Sequence, residues 1–245
     1  MSGSSPRVAM VLAAGLGTRL RPITDALPKP LVEVAGRTIL DRALDALLDA
    51  GVERCVVNTH YLAPMIEAHL AGRTMPHCEL SHEEHLLDTG GGVARALPAL
   101  GPDPFFVVNA DILWDEGPAG AALARLAAAF DAARMDALLL MVPRSRAVGY
   151  DGPGDFSVDD SGRLARRGEG WTAPYVFTGL QILAPRLFDG CPDGAFSLNL
   201  LYDRAIAANR LFGVEHDGRW FHIGTPAGLE LAQAALARIP PAGET

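Results

Sequence analysis

Hydrophobic and polar positions alternate along this chain with two different periods, and the period switches many times. Residues 7–15, RVAMVLAAG, form a short apolar run closed by glycine and predict a buried strand. Residues 38–51, TILDRALDALLDAG, place Ile39, Leu40, Ala43, Leu44, Leu47 and Leu48 on one face, with Gly51 behind them. That spacing predicts an amphipathic helix with a glycine stop. ERCVVNT (53–59) reads as a second strand, APMIEAHL (63–70) as a short helix with Pro64 near its start, and CELSHE (78–83) as a third strand. GGVARALPAL (91–100) reads as a helix that opens on the glycines 90–92. PFFVVNADI (104–112) is the clearest strand, with Asn109 and Asp111 at its C-terminal end. AGAALARLAAAFDAARM (119–135) predicts a helix and DALLLMVP (136–143) a strand.

The pattern changes near residue 145. Residues 154–170 read as a hairpin turning at Asp160-Ser161-Gly162. A strand over 174–183, a helix over 196–210, a strand over 211–218 and a closing helix over 225–239 follow, with no internal repeats. Strand–helix alternation in the first half predicts an α/β fold, a mixed but mostly parallel sheet with helices on both faces. The second half is expected to be a substrate-facing lobe on the same sheet, so that residues 1–245 make one domain.

Composition narrows the function. With 245 residues, 49% hydrophobic and 20% charged, the chain can bury a core without staples. A net charge of -8 argues against a general nucleic-acid surface. Cys55, Cys78 and Cys191 are widely spaced and form no CxxC, which suggests reduced thiols. His77, His82 and His85 with Cys78 match no zinc spacing. No apolar run has the length of a membrane span, and MSGSSPR lacks a signal-like core, so the expected location is cytoplasmic.

An acidic protein that handles an anionic substrate must concentrate its useful cations. After the first strand, LAAGLGTRLRP (12–22) offers Gly15 and Gly17, whose backbone can turn tightly and expose N–H groups, together with Thr18, Arg19 and Arg21. Such a loop at a helix N-terminus can hold phosphate. Leu20 occupies the third glycine position of GxGxxG, which disfavours a dinucleotide oxidoreductase, and no GK[ST] follows to make a P-loop. The chain contains one lysine, Lys29, set between Pro28 and Pro30. Both prolines discourage helix at the residue before them, so the segment reads as a stiff, extended strut. It presents a compact charge that fits among several phosphate oxygens better than a planar guanidinium would.

Taken together, LAAGLGTRLRPITDALPKPLVEVAG, LLDTGGGVARALP, VVNADI, YVFTGLQIL and GRWFHIGTP, in that order, resemble the sugar-1-phosphate nucleotidyltransferases along nearly the whole chain. The short length and DTGGG are most similar to the bacterial N-acetylmuramate-1-phosphate uridylyltransferases, then to mannose-1-phosphate guanylyltransferase-like proteins. The resemblance implies a Rossmann-like nucleotidyltransferase fold, with a nucleotide-binding half over about 7–145 and a sugar-binding half over about 146–245. It implies transfer of a nucleotidyl group from an NTP to a sugar 1-phosphate, with release of pyrophosphate. UTP with N-acetylmuramate 1-phosphate, a step in cell-wall sugar recycling, is the expected pair, and GTP with mannose 1-phosphate or a heptose phosphate is the alternative. A non-catalytic nucleotide-sugar-binding module is the alternative of another class.

The resemblance also implies roles. Arg19 would hold the outer phosphates and Lys29 the phosphates at the reacting centre. The backbone N–H groups of Ala14, Gly15, Gly17 and Thr18 would hold the rest. Asp111 would hold Mg²⁺. His222 stands where relatives carry a second metal carboxylate, and imidazole suits Mn²⁺ better than the hard Mg²⁺. Leu12 and Ala13 would face the base, with Glu83, Thr89 and Gly90 closing over it. Asn109, Thr178 and Gly179, then Asp155 and Trp220, would meet the sugar. Without a long C-terminal repeat region, a monomer or dimer is expected.

Overall fold

The computed structural model describes residues 5–236. In chain order the strands are β1 (Val8–Leu12), β2 (Glu33–Val34), β3 (Arg37–Thr38), β4 (Arg54–Thr59), β5 (His77–His82), β6 (Phe105–Asn109), β7 (Ile112–Trp114), β8 (Ala137–Pro143), β9 (Ala147–Val148), β10 (Phe156–Val158), β11 (Leu164–Arg166), β12 (Tyr175–Leu183), β13 (Leu211–Glu215) and β14 (Trp220–His222). The α-helices are α1 (Ile39–Asp49), α2 (Ala63–Leu70), α3 (Asp88–Leu100), α4 (Ala122–Ala129), α5 (Leu198–Ala207) and α6 (Pro226–Leu236).

A nine-stranded sheet follows the order β11-β10-β12-β6-β1-β4-β5, with β8 added on β12 and β13 on β8. Its first-half strands β6, β1, β4 and β5 are parallel, whereas β12 enters antiparallel between β6 and β8. The second half therefore extends the same sheet. Alternation along each strand sorts its side chains to two faces. Ala9, Val11, Cys55, Val57, Phe106, Val108, Leu138 and Leu140 meet the apolar stripes of α1, α2 and α4. Met10, Val56, Phe105, Val107, Leu139 and Met141 meet those of α3 and α5. This is the α/β fold with helices on both faces that the periodicity predicts.

Two smaller sheets bear on the site. The order β7-β14-β9 ties the segment after β6 to the chain's end, with His222 opposite Ile112. The β2–β3 hairpin turns on Ala35 and Gly36, both at positive φ.

The helix expected over 119–135 is shorter. It stops at Ala129, because Phe130 turns extended (φ -73°, ψ 123°) to pack on the core and the Asp131 side chain accepts the Ala133 N–H, an alternative to helical bonding. The helix expected from residue 91 begins at Asp88, so its glycines lie inside the first turns. Residues 237–239 of the expected closing helix lie outside the described residues. No helix of the described residues is long and apolar enough to cross a membrane.

Candidate active site

β1 and β6 are parallel neighbours with Leu12 beside Asn109, and the chain leaves both at the same end of the sheet. Open α/β sheets bind ligands at this end. After β1 the chain runs through Ala13–Gly17 into a single 3-10 turn, Thr18–Leu20. No α-helix follows, so the expected helix N-terminus behind the loop is absent and the cradle consists of loop amides. Gly17 takes φ 63°. A Cβ there would stand 3.0 Å from Thr24 Cγ2 and 3.2 Å from Lys29 Cβ, so both conformation and space call for glycine. The Thr24 hydroxyl donates to Gly17 O at 2.8 Å and pins the turn.

Lys29 does not project from an extended strut. Pro28 is extended (φ -64°, ψ 139°), but Leu31 N donates to Pro28 O and Val32 N to Lys29 O, closing a 3-10 turn over Lys29–Leu31. Pro30 has a helix-compatible φ and lacks an N–H, both tolerated in a first turn. The Lys29 side chain is only 9% exposed, and Nζ donates to Asp111 Oδ2 at 3.0 Å. A buried lysine needs such a partner.

These groups line a cavity of about 310 Å³ together with Leu12, Ala13, Gly15, Thr18 and Arg19. Leu86, Ala110 and Gly224 complete it, none of them foreseen from the sequence. Ala14 is buried and is not part of the wall. A larger cleft of about 850 Å³ lies at the opposite ends of β1 and β6, among Arg7, Pro104 and Ala129–Ala133, and holds none of the candidate residues.

Among the described residues Asp111 hydrogen-bonds only to Lys29, and its side chain is 42% exposed, leaving one carboxylate oxygen for a cation. No group of three or more His, Cys, Asp and Glu gathers to hold a metal among the described residues. One carboxylate suits Mg²⁺, which keeps most of its shell in water and phosphate oxygens. His222 lies across from Ile112, one residue beyond Asp111. Burial first, then the charges of Lys29 and Arg19, hold its imidazole below the usual range, against Asp111 and Asp151. It is therefore a neutral ring beside the cation cluster.

Several expected contacts are spent inside the protein. The Ala13 N–H donates to Asn58 Oδ1 at 2.7 Å and is spent there, and Leu12 O accepts one bond from Ala110 N at 3.0 Å. Glu83 is 1% exposed: Oε1 accepts from Asn58 Nδ2 at 2.7 Å and Oε2 from Leu87 N at 2.9 Å. Thr89 Oγ1 accepts Leu198 N, and Gly90 N donates to Phe196 O. A Cβ at Gly90 would overlap the Phe196 ring, so its missing side chain serves packing against the segment before α5.

On the sugar side, Thr178 is fully buried, donating its hydroxyl to Leu140 O at 2.8 Å and accepting Trp220 Nε1 at its carbonyl at 2.8 Å. Trp220 is 3% exposed. Both are structural. Gly179 takes φ 89° where β12 shifts register, and a Cβ there would stand 3.1 Å from the Asn109 side chain. It makes room for Asn109, which keeps a half-buried place at the end of β6. Asp155 accepts Phe177 N at 2.9 Å, and burial pushes its carboxyl above the usual range.

Asn58, which accepts the Ala13 N–H at the start of the glycine loop, was not singled out from the sequence. It ends an apolar strand, as Asn109 does, and Leu12 lies between the two in register. A lone asparagine at the C-terminal end of each flanking strand was the available sign.

The nucleotidyl transferase family profile matches residues 8–166. The N-acetylmuramate alpha-1-phosphate uridylyltransferase of Caulobacter vibrioides is 44% identical over 238 residues, covering 95% of this chain and 98% of its own. The protein of that name in Neisseria meningitidis serogroup B is 36% identical over 238 residues, 92% of this chain and 96% of its own. Among solved structures, the inositol-1-phosphate CTP transferase of T. maritima superposes with a TM-score of 0.75 at 20% identity, covering 96% of this chain and 98% of that one. The Lys29–Asp111 pair beside a glycine loop thus sits on a backbone shared with enzymes that join nucleotides to phosphorylated substrates, and the chain belongs to the nucleotidyl transferase family, among the sugar-1-phosphate nucleotidyltransferases.

Proposed function

We propose that this protein transfers the uridylyl group of UTP to N-acetylmuramate 1-phosphate, giving the nucleotide-sugar and pyrophosphate. The observation that carries the proposal is Lys29 Nζ, buried and 3.0 Å from Asp111 Oδ2, at the mouth of a cavity whose other wall is the glycine loop. The choice of uracil and N-acetylmuramate rests on the names of the two relatives matched over nearly their whole lengths.

An oxygen of the sugar phosphate attacks the α-phosphorus in line. A new P–O bond forms, the bond to the β-phosphate oxygen breaks, and pyrophosphate leaves with that electron pair. The nucleophile is already an anion, so no general base is needed. The obstacle is repulsion between two polyanions, and catalysis is alignment plus neutralisation. Arg19 takes the outer phosphates, the Gly15–Thr18 amides cradle the chain of phosphates, and Lys29 steadies the reacting centre. Asp111 would hold Mg²⁺, which would supply further positive charge to offset the phosphates. His222, neutral, offers a hydrogen-bonding nitrogen there and not a second hard ligand. Asn109 and Gly179 border the sugar. The same reading makes residues 1–245 one domain of a cytoplasmic protein, monomeric or dimeric, working in the recycling of cell-wall sugars.

A panel of nucleoside triphosphates against sugar 1-phosphates, followed by pyrophosphate release with Mg²⁺ or Mn²⁺, tests this. UTP with N-acetylmuramate 1-phosphate should give the highest kcat/KM. Lys29→Ala and Asp111→Ala should each lower the rate by about 10²–10³, the loss typical of one transition-state partner. A best pair of GTP with mannose 1-phosphate would move the substrate assignment. Tight nucleotide-sugar binding without turnover under either metal would make the protein a binding module.

A further inference from the structure

One buried carboxylate joins the two walls of the cavity. Asn58, 3% exposed at the end of β4, accepts the Ala13 N–H on Oδ1 and donates from Nδ2 to Glu83 Oε1, both at 2.7 Å. Glu83 Oε2 accepts Leu87 N at 2.9 Å. Ala13 is the first residue of the glycine loop, and Leu87 adjoins Leu86, which lines the same cavity as that loop. The packing around the relay leaves no slack: a Cβ on Gly92 would lie 2.8 Å from Glu83 Oε1 and 2.9 Å from Asn58 Nδ2.

We propose that Asn58 and Glu83 are positioning residues for the nucleoside triphosphate, setting the phosphate-holding loop and the Leu86 wall at one fixed separation. The proposal rests on the reading of this cavity as the nucleotide site. Neither side chain lines the cavity, so both act through the backbone groups they hold. At Ala13 the chain departs from the sheet, and its N–H is satisfied by the Asn58 amide oxygen. An apolar pair would fill the same volume but leave the Ala13 and Leu87 N–H groups without partners, so the polar pair is what holds these two backbone amides in place. The donors and acceptors leave one arrangement. Ala13 N–H requires the Asn58 oxygen, which turns the Asn58 NH₂ to Glu83, and both Glu83 oxygens must then accept.

That logic supplies its own rescue. In Glu83→Gln, one of the two former acceptors becomes an NH₂ facing either Asn58 NH₂ or Leu87 N–H, so one bond is lost in either orientation. In Asn58→Asp, an oxygen replaces the NH₂ and faces a Glu83 oxygen. In the double variant, which combines Asn58→Asp with Glu83→Gln, the carboxylate introduced on β4 accepts both the Ala13 N–H and the NH₂ of the introduced amide. The oxygen of that amide accepts Leu87 N–H, so all three bonds return, the one between the two side chains with its polarity reversed.

The experiment titrates UTP and, separately, GTP onto the wild type, both single variants and the double variant. Steady-state kinetics with the best substrate pair and hydrogen exchange at the Ala13 amide accompany the titrations. Each single variant should weaken nucleotide binding about tenfold and raise the KM for the triphosphate similarly, with the KM for the sugar phosphate unchanged and Ala13 exchanging faster. The double variant should return to within about threefold of the parent. Single variants that bind nucleotide like the parent, or a double variant no better than the worse single, would overturn the proposal. Failure of the parent itself to bind either nucleotide would overturn it together with the functional reading, an outcome distinct from the first two.

Discussion

Lys29 shows how much one side chain can carry and how little of its setting is local. Its presence as the one lysine in an arginine-rich chain points to a compact ammonium. Its burial and its bond to Asp111, 82 positions away, come from the fold. The pocket around it is tight, since the space above Gly17 ends 3.2 Å from Lys29 Cβ. Lys29→Arg should therefore fail to preserve activity although the charge remains. A planar fork needs more room and cannot take the ammonium's place against Asp111. Pyrophosphate-release assays should show kcat/KM about 10²-fold below the parent for this variant, close to the loss expected for Lys29→Ala. Activity within a fewfold of the parent would mean that charge alone suffices at this position.

At the scale of elements, the entry to α3 is the instructive case. From sequence the glycines 90–92 read as the opening of a helix, with Thr89 and Gly90 closing over a base. The structure puts the three glycines inside the helix, against the segment that leads into α5. A Cβ on Gly91 would overlap the carbonyl oxygen of Gly194, a backbone atom that cannot rotate away. Gly91→Ala should destabilise the protein by about 1–3 kcal/mol, the usual cost of overpacking, even though alanine is the better helix former. A urea melt that shows an unchanged or raised midpoint would contradict this. A sequence records that a side chain is missing but not what fills the space, which is why glycines required by packing resemble glycines that admit a ligand. Thr178 and Trp220 misled for the same reason. Their polar atoms satisfy one another and Leu140, partners brought together by the pairing of β12 and β8 and by the β7-β14-β9 sheet.

Across the whole molecule, buried titratable groups set the response to pH. His216 is fully buried, and burial lowers its pKa despite the Arg219 backbone beside its ring and the charges of Glu116 and Asp217. The unfolded chain, with an ordinary value near 6.5, binds the proton first. This group's contribution is therefore intact above about pH 6.5 and is lost as pH falls from there through the folded-state value. Asp155 acts in the opposite sense at lower pH: burial raises its carboxyl, so its contribution is greatest below 3.8 and declines as pH rises through the folded-state value. Unfolding free energies measured from pH 7.5 down to 4.5 should show the parent losing stability as pH falls, with that component absent in His216→Leu. Parallel curves for the two proteins would exclude His216 as the cause.

The amino-acid sequence alone determined the order and type of most elements, the two-faced sheet, the glycine loop and the identities of Arg19, Lys29 and Asp111. Those features follow from period, chain stiffness and charge, which act over a few residues. Tertiary structure decided which polar groups remain free for substrate. Glu83, Thr178, Trp220 and the Ala13 amide are consumed by internal partners, while Lys29 meets Asp111 and Leu86 closes the cavity. A buried donor or acceptor must be satisfied wherever a partner lies, and strand register brings those partners from distant parts of the chain.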